Sequence, residues 1–186
     1  AEDGIRDYKV TGVQTCALPI CASAPPDQPE RVSVTTGCSC HDMSVELGRV
    51  TQAIEKQKII YSQSAEKADC SGIYHRVLDG LAEACPCMDR PDYKQHRTTR
   101  RLAQWYHQRG ELQRIEDPLE DQGLIKVGVV MFYGYQGRSY KKTPIEDFFK
   151  QGKGIVHMGV VVDVERDAAG NVVRYSLFHG RSSGKL

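Results

Sequence analysis

Ile155–His179 reads IVHMGVVVDVERDAAGNVVRYSLFH, and its alternation decides the fold. Val156, Met158, Val160, Val162 and Val164 recur at every second position, so as a strand they form one apolar face. The opposite face carries Ile155, His157, Gly159 and Val161. Arg166–Gly170 (RDAAG) reads as a hairpin loop and Asn171–His179 as the returning strand. If Glu165 pairs with Asn171, an unbroken ladder sets His157 directly opposite His179, on one face, with Cβ atoms about 4.5–5.5 Å apart. Gly159, on that same face, leaves room for another element. A one-residue slip would send the two imidazoles to opposite faces.

Working outward, Val127–Tyr133 (VGVVMFY) is a buried-type strand, and Tyr135–Gly154 is a polar, glycine-containing loop with a helical turn at Ile145–Phe149. Before it the period changes. Leu47, Val50, Ile54 and Tyr61 recur on one helical face behind Ser44, the expected cap. A second helix starts at Cys70 with Asp69 as N-cap and ends at Pro86; Cys70, Ile73 and Val77 share one face. A third, Gln95–Gln108, turns Leu102, Trp105 and Tyr106 inward, Gly110 stops it, and Glu116–Gly123 is an acidic connection. Helices first and antiparallel strands after predict an α+β fold.

The chain therefore presents a thiol at a helix start and two imidazoles on a sheet. A helix N-terminus and a nearby imidazolium both favour the thiolate and lower a cysteine pKa. The roles that follow are Cys70 as nucleophile, His157 as general base and then acid, and His179 as the group that orients His157. Backbone N–H groups at the helix start, Cys70 included, would meet the oxyanion. His41, His75, His96 and His107 lie on the leader or on helices and lack such support.

Among 186 residues, 25 are Lys or Arg and 24 Asp or Glu, a net charge of +1. This balance excludes a global attraction to nucleic acid or anionic membrane. His96–Arg101 (HRTTRR) reads as a solvated helix face. No apolar run reaches the roughly 18–20 residues of a membrane span. Of seven cysteines, Cys38, Cys40, Cys85 and Cys87 form the pattern C-x-C-H…C-x-C. Disulfides, unpaired thiols or a zinc site all remain open, although the spacing is tighter than the usual C-x₂₋₄-C of zinc modules. No cofactor is implied.

Ala1–Asp7 (AEDGIRD) and Val10–Ile20 (VTGVQTCALPI) match an in-frame translation of a sequencing-library adapter, with Tyr8-Lys9 as index. Residues 1–20 are accordingly expected to carry no biology, residues 21–43 to be an irregular leader rich in Pro and Ser, and residues 44–186 to be the functional domain. The native start is then expected to be missing, and the end at Leu186 to be a truncation.

Asp69-Cys70-Ser71-Gly72, Val127–Gly134 (VGVVMFYG), His157–Val161 (HMGVV) and Phe178–Arg181 (FHGR) together resemble the NlpC/P60 family of cell-wall cysteine peptidases. The resemblance implies a papain-like fold, in which a cysteine-bearing helix packs on an antiparallel sheet bearing the histidine. It implies the triad Cys70, His157 and His179, no metal, and hydrolysis of peptidoglycan stem-peptide amide bonds such as γ-D-glutamyl to diaminopimelate. By the same resemblance Tyr61 is an extra oxyanion donor, and Asp69 and Ser71 line the substrate site. It further implies an exported protein of the periplasm or cell envelope, acting as a monomer. Gln95–Glu120 and Tyr135–Gly154 exceed the family's usual length and are expected to shape specificity. The competing readings are a thiol amidase or acyltransferase on the same scaffold, and a non-catalytic binding module.

Overall fold

The computed structural model describes residues 42–180 and, for its backbone alone, Gln14–Ala17. Cys38, Cys40, His41 and Arg181, with the rest of the leader and the adapter-like segment, lie outside the described residues. The elements run β1 (Gln14–Ala17), α1 (Met43–Lys56), α2 (Cys70–Ala84), α3 (Thr99–Gln108), β2 (Leu112–Ile115), a 3-10 turn (Asp121–Leu124), β3 (Val130–Tyr133), α4 (Ile145–Phe148), β4 (His157–Arg166) and β5 (Val172–Phe178). The sheet has the order β2-β1-β3-β4-β5 with every pair antiparallel. The fold class is α+β, as the succession of periods predicts.

α1, α2 and α3 each begin where a side chain satisfies an orphan N–H group. Asp42, rather than Ser44, caps α1: its carboxylate accepts from the Ser44 backbone N–H and hydroxyl. The helix ends at Lys56, so Tyr61 lies on the following loop and not on the apolar face of α1. Asp69 caps α2 as expected, accepting from the Gly72 N–H. Thr98 caps α3, which starts later than the expected Gln95 because 93–97 turns back on itself through His96 N–H to the Asp92 carbonyl.

Two cores flank the sheet. On one side Leu47, Val50 and Ile54 of α1, Ile73, Val77, Leu78 and Leu81 of α2, and Leu102 and Tyr106 of α3 meet Val130, Phe132, Met158 and Val160. Burying each such side chain contributes about 1.5–3 kcal/mol, so the helices are fixed mainly by this face. Gly80 lets α1 approach α2: a Cβ there would stand 2.7 Å from Val50 Cγ1. The hydroxyls of Tyr74 and Tyr106 bond to one another in this core. On the other side Ile115, Ile125, Val129, Met131 and Val161 form a smaller core under the 3-10 turn.

The strands are shorter than the apolar runs that announce them. Gly128 has φ +89° and donates to the Val161 carbonyl, so Val127–Val129 is a turn and the strand starts at Val130. β2 was not anticipated. Its LQRI is too short for periodicity to register, and it is held by Arg114 donating to the Tyr140 and Thr143 carbonyls and by Ile115 in the second core. β1 sits between β2 and β3 through backbone bonds that any non-proline sequence supplies, so the pairing does not bear on the origin of the segment.

The β4–β5 hairpin departs from the unbroken ladder. Glu165 pairs with Arg174, Val161 with Leu177 and Val160 with Phe178, with shifts between Val161 and Asp163 and between Glu165 and Arg166. Near β4's start the register is therefore offset by two residues from expectation. An even offset preserves the face.

Cys85 and Cys87 are both disulfide-bonded. Their own sulfurs stand 3.9 Å apart, so they are not joined to each other. Of the readings open for this C-x-C pair, the disulfide is the one taken. Among the described residues no group of His, Cys, Asp and Glu side chains could hold a metal ion, and no helix is long and apolar enough to cross a membrane.

Gly72 carries a strong steric demand. A Cβ there would lie 2.4 Å from Lys67 Cα, which is backbone and cannot give way cheaply. Gly72→Ala is expected to cost about 3 kcal/mol or more, read as a lower urea midpoint, whereas Gly48→Ala, with nothing within 4 Å, should stabilise slightly.

Candidate active site

Cys70 is the first residue of α2, and Asp69 sets the chain's entry into the helix. The loop before it is folded back by Ser62 N–H to the Ala68 carbonyl and by Arg76 Nε to the Lys67 carbonyl. This places Cys70 at the sheet end where β4 begins and β5 finishes. The Met158 backbone N–H is near enough to the Cys70 sulfur to favour its anion. Gly180, next after His179, packs so closely on the helix start that a Cβ there would be 3.2 Å from the Asp69 carbonyl carbon.

At that end the two imidazoles bond: His157 Nε2 and His179 Nδ1 are 2.7 Å apart, with ring centroids 4.8 Å apart and planes nearly perpendicular. They do not meet as a directly opposed pair. The two-residue offset puts His179 beside Gly159, whose missing side chain gives it room, since a Cβ on Gly159 would stand 3.1 Å from His179 Cβ. The space at Gly159 is thus taken by His179 and not by the helix bearing the thiol. The rings reach each other diagonally, and Tyr133 lies beside His157 at 6.3 Å between centroids.

The thiol environment corrects one expectation. Cys70 is only 8% exposed, and burial, reinforced by the Asp69 carboxylate, pushes its pKa above that of an ordinary thiol. The N–H groups of Ser71 and Met158 and the Thr99 hydroxyl act the other way without overcoming it. Position at a helix start therefore does not leave a ready thiolate here, and ionisation needs a base.

Tyr61 lies on the loop before α2, near Cys70 and Gln63. Burial, then the proximity of Cys70 and Asp69, raises its pKa. Asp69 and Ser71 are engaged elsewhere. Arg97 Nη1 donates to both Asp69 oxygens, at 2.7 and 3.0 Å, and to Ser71 Oγ, at 3.1 Å, while the Ser71 hydroxyl donates to the Arg97 carbonyl at 2.7 Å. Ser71 is 2% exposed. In this structure both residues hold the helix start.

Arg97 and Thr99 are the site neighbours that sequence reading missed. Arg97, read there as part of a solvated face, lies over the Tyr93 ring with its guanidinium against Asp69. No local signal connects them, because partners so far apart in sequence share no pattern; only the cap at Thr98 was legible in principle. His75 adds a tether, its Nε2 3.0 Å from the His96 carbonyl and its ring edge-on to Tyr93. No family model, curated protein or solved structure matches the chain.

Substitution of Gly159 by alanine should displace His179 from His157. The ring-to-ring hydrogen bond, followed by ¹⁵N-edited NMR of the imidazole nitrogens, is expected in the parent and lost in Gly159→Ala. Burial lowers the pKa of His75 below 6.5. A base with a depressed folded pKa contributes stability that is full above its unfolded value and lost as pH falls below it. Thermal melts between pH 7.5 and 5 should therefore fall less steeply for His75→Gln than for the parent.

Proposed function

We propose that the chain is a papain-like cysteine peptidase of the NlpC/P60 kind, acting on peptidoglycan stem peptides through Cys70, His157 and His179. The observation that carries the reading is the 2.7 Å bond from His157 Nε2 to His179 Nδ1, made at the sheet end where the Met158 N–H lies near the Cys70 sulfur. With the proton on His157 Nε2, its Nδ1 is the basic nitrogen, and His179 fixes the ring and spreads the charge of the imidazolium.

The chemistry follows. His157 Nδ1 takes the Cys70 thiol proton as sulfur attacks the scissile carbonyl carbon, a step the raised thiol pKa makes dependent on that base. The oxyanion is met by the Cys70 N–H, with Tyr61 on the neighbouring loop as the further donor. The C–N bond breaks as imidazolium gives its proton to the leaving amine, and a thioester remains. Water, deprotonated by His157, attacks the thioester; the C–S bond breaks, the acid leaves and the thiol regains its proton. Disulfides at Cys85 and Cys87 fit an oxidising compartment, which supports the reading of an exported protein of the periplasm or envelope.

Mass spectrometry of purified muropeptides incubated with the protein tests this. The parent should release stem-peptide fragments, and Cys70→Ala and His157→Ala should release none. His179→Ala should retain activity reduced by roughly a hundredfold, the scale of an orienting group. Acylated products instead of fragments would point to an acyltransferase. Intact muropeptides from a folded parent would sink the peptidase reading.

A further inference from the structure

We propose that Arg97 is a positioning residue for the Cys70 nucleophile: it clamps the two residues that flank the thiol and sets a cation against the carboxylate beside it. The inference rests on the thiol chemistry proposed for Cys70 but not on which amide bond is cut.

The clamp is made of bonds between segments remote in sequence. Arg97 Nη1 donates to the two Asp69 oxygens at 2.7 and 3.0 Å and to Ser71 Oγ at 3.1 Å. In return the Ser71 hydroxyl donates to the Arg97 carbonyl at 2.7 Å. Asp69 and Ser71 are the chain neighbours of Cys70 on either side, so the thiol's residue is pinned from both directions. The same guanidinium reaches the preceding loop, with Nη2 3.4 Å from the Gln63 carbonyl, and covers the Tyr93 ring at 5.6 Å. Tyr93 in turn receives the Lys67 N–H at its hydroxyl, and the His96 carbonyl is 3.0 Å from His75 Nε2. One side chain thus ties the 61–68 loop and the 92–99 turn to the start of α2.

Capping alone does not require this cation, because Asp69 already accepts from the Gly72 N–H at 2.8 Å. What the cation changes is the charge beside the nucleophile. A carboxylate one residue from a thiol opposes its ionisation, and a guanidinium bonded to that carboxylate offsets it. The pair is partly enclosed, with the Asp69 side chain 14% and that of Arg97 27% exposed, so solvent and salt screen it less than they would a surface pair. The other titratable groups around Cys70 are Tyr61 on the preceding loop and His157 and His179 at the strand ends. Three of the guanidinium's bonds converge on the single nitrogen Nη1, a pattern that the three donors of a lysine ammonium can reproduce.

The test is the pH dependence of Cys70 alkylation by iodoacetamide in the full chain, read by mass spectrometry of the Cys70 peptide so that other cysteines do not contribute. Arg97→Gln should move the alkylation midpoint up by about one pH unit. Arg97→Lys, which keeps the cation, should stay close to the parent profile; a residue that only held the fold would show no such dependence on charge. Should glutamine fail to fold by circular dichroism, the same change is made beside Asp69→Asn, whose amide still caps the helix and leaves no enclosed carboxylate unpaired. That double variant should have a higher midpoint than Asp69→Asn alone. Coincident profiles for either pair would overturn the proposal, as would a lysine variant displaced as far as glutamine. Muropeptide cleavage is assayed alongside: a parent that cuts nothing while the loss of Arg97 still shifts the profile would remove the peptidase reading and leave the role of Arg97 standing.

Discussion

Everything in this structure turns on burying the N-terminus of α2. A helix start has backbone N–H groups with no intrahelical partner, and enclosing one in protein is expensive unless each group is met. Here the Asp69 carboxylate accepts from the Gly72 N–H and the Asp69 carbonyl from the Ile73 N–H. Asp69 is itself partly buried, and Arg97 supplies its countercharge. Once the cap and its counterion are in place, Cys70 is buried at the start of the helix.

That confinement sets the electrostatic character of the site. The expectation that a helix N-terminus gives a low-pKa thiolate holds where the thiol keeps contact with solvent. Here burial dominates, and the cap that organises the helix is a carboxylate beside the thiol, so the same Asp69 that stabilises the fold disfavours the anion. A thiol of this kind depends on its base and on neutral hydrogen-bond donors. The His157–His179 pair is the base we propose for it.

The hairpin shows how far sequence patterning reaches. Alternation along His157–Val161 and Asn171–His179 fixed which face carries the histidines, and that face is correct. It did not fix which residues oppose each other, because the irregularities after Val161 and Glu165 are backbone events with no signature in an apolar run. Since the offset came to two residues, the imidazoles stayed on one side and met diagonally across Gly159. Had it been one, they would have been separated by the sheet. Similarly, periodicity set the start of α3 at Gln95 where Thr98 caps it, and β2 depends on Arg114 reaching the Tyr140 loop, its few residues carrying no period of their own.

What the sequence determined by itself is local: the helix starting at Cys70 under Asp69, the apolar stripes of α1, α2 and α3, the α+β succession, and the side of β4 on which His157 lies. These follow from capping and from periods of 3.6 and 2, which are read within a dozen residues. Only the tertiary structure decided that Arg97 neutralises Asp69, that Ser71 bonds the Arg97 carbonyl, that the two imidazoles meet diagonally, and that the thiol is buried. Those contacts join segments whose approach depends on how α2, the 92–99 turn and the sheet pack together. Packing is a property of the whole chain's volume and burial, and no short window of sequence contains it.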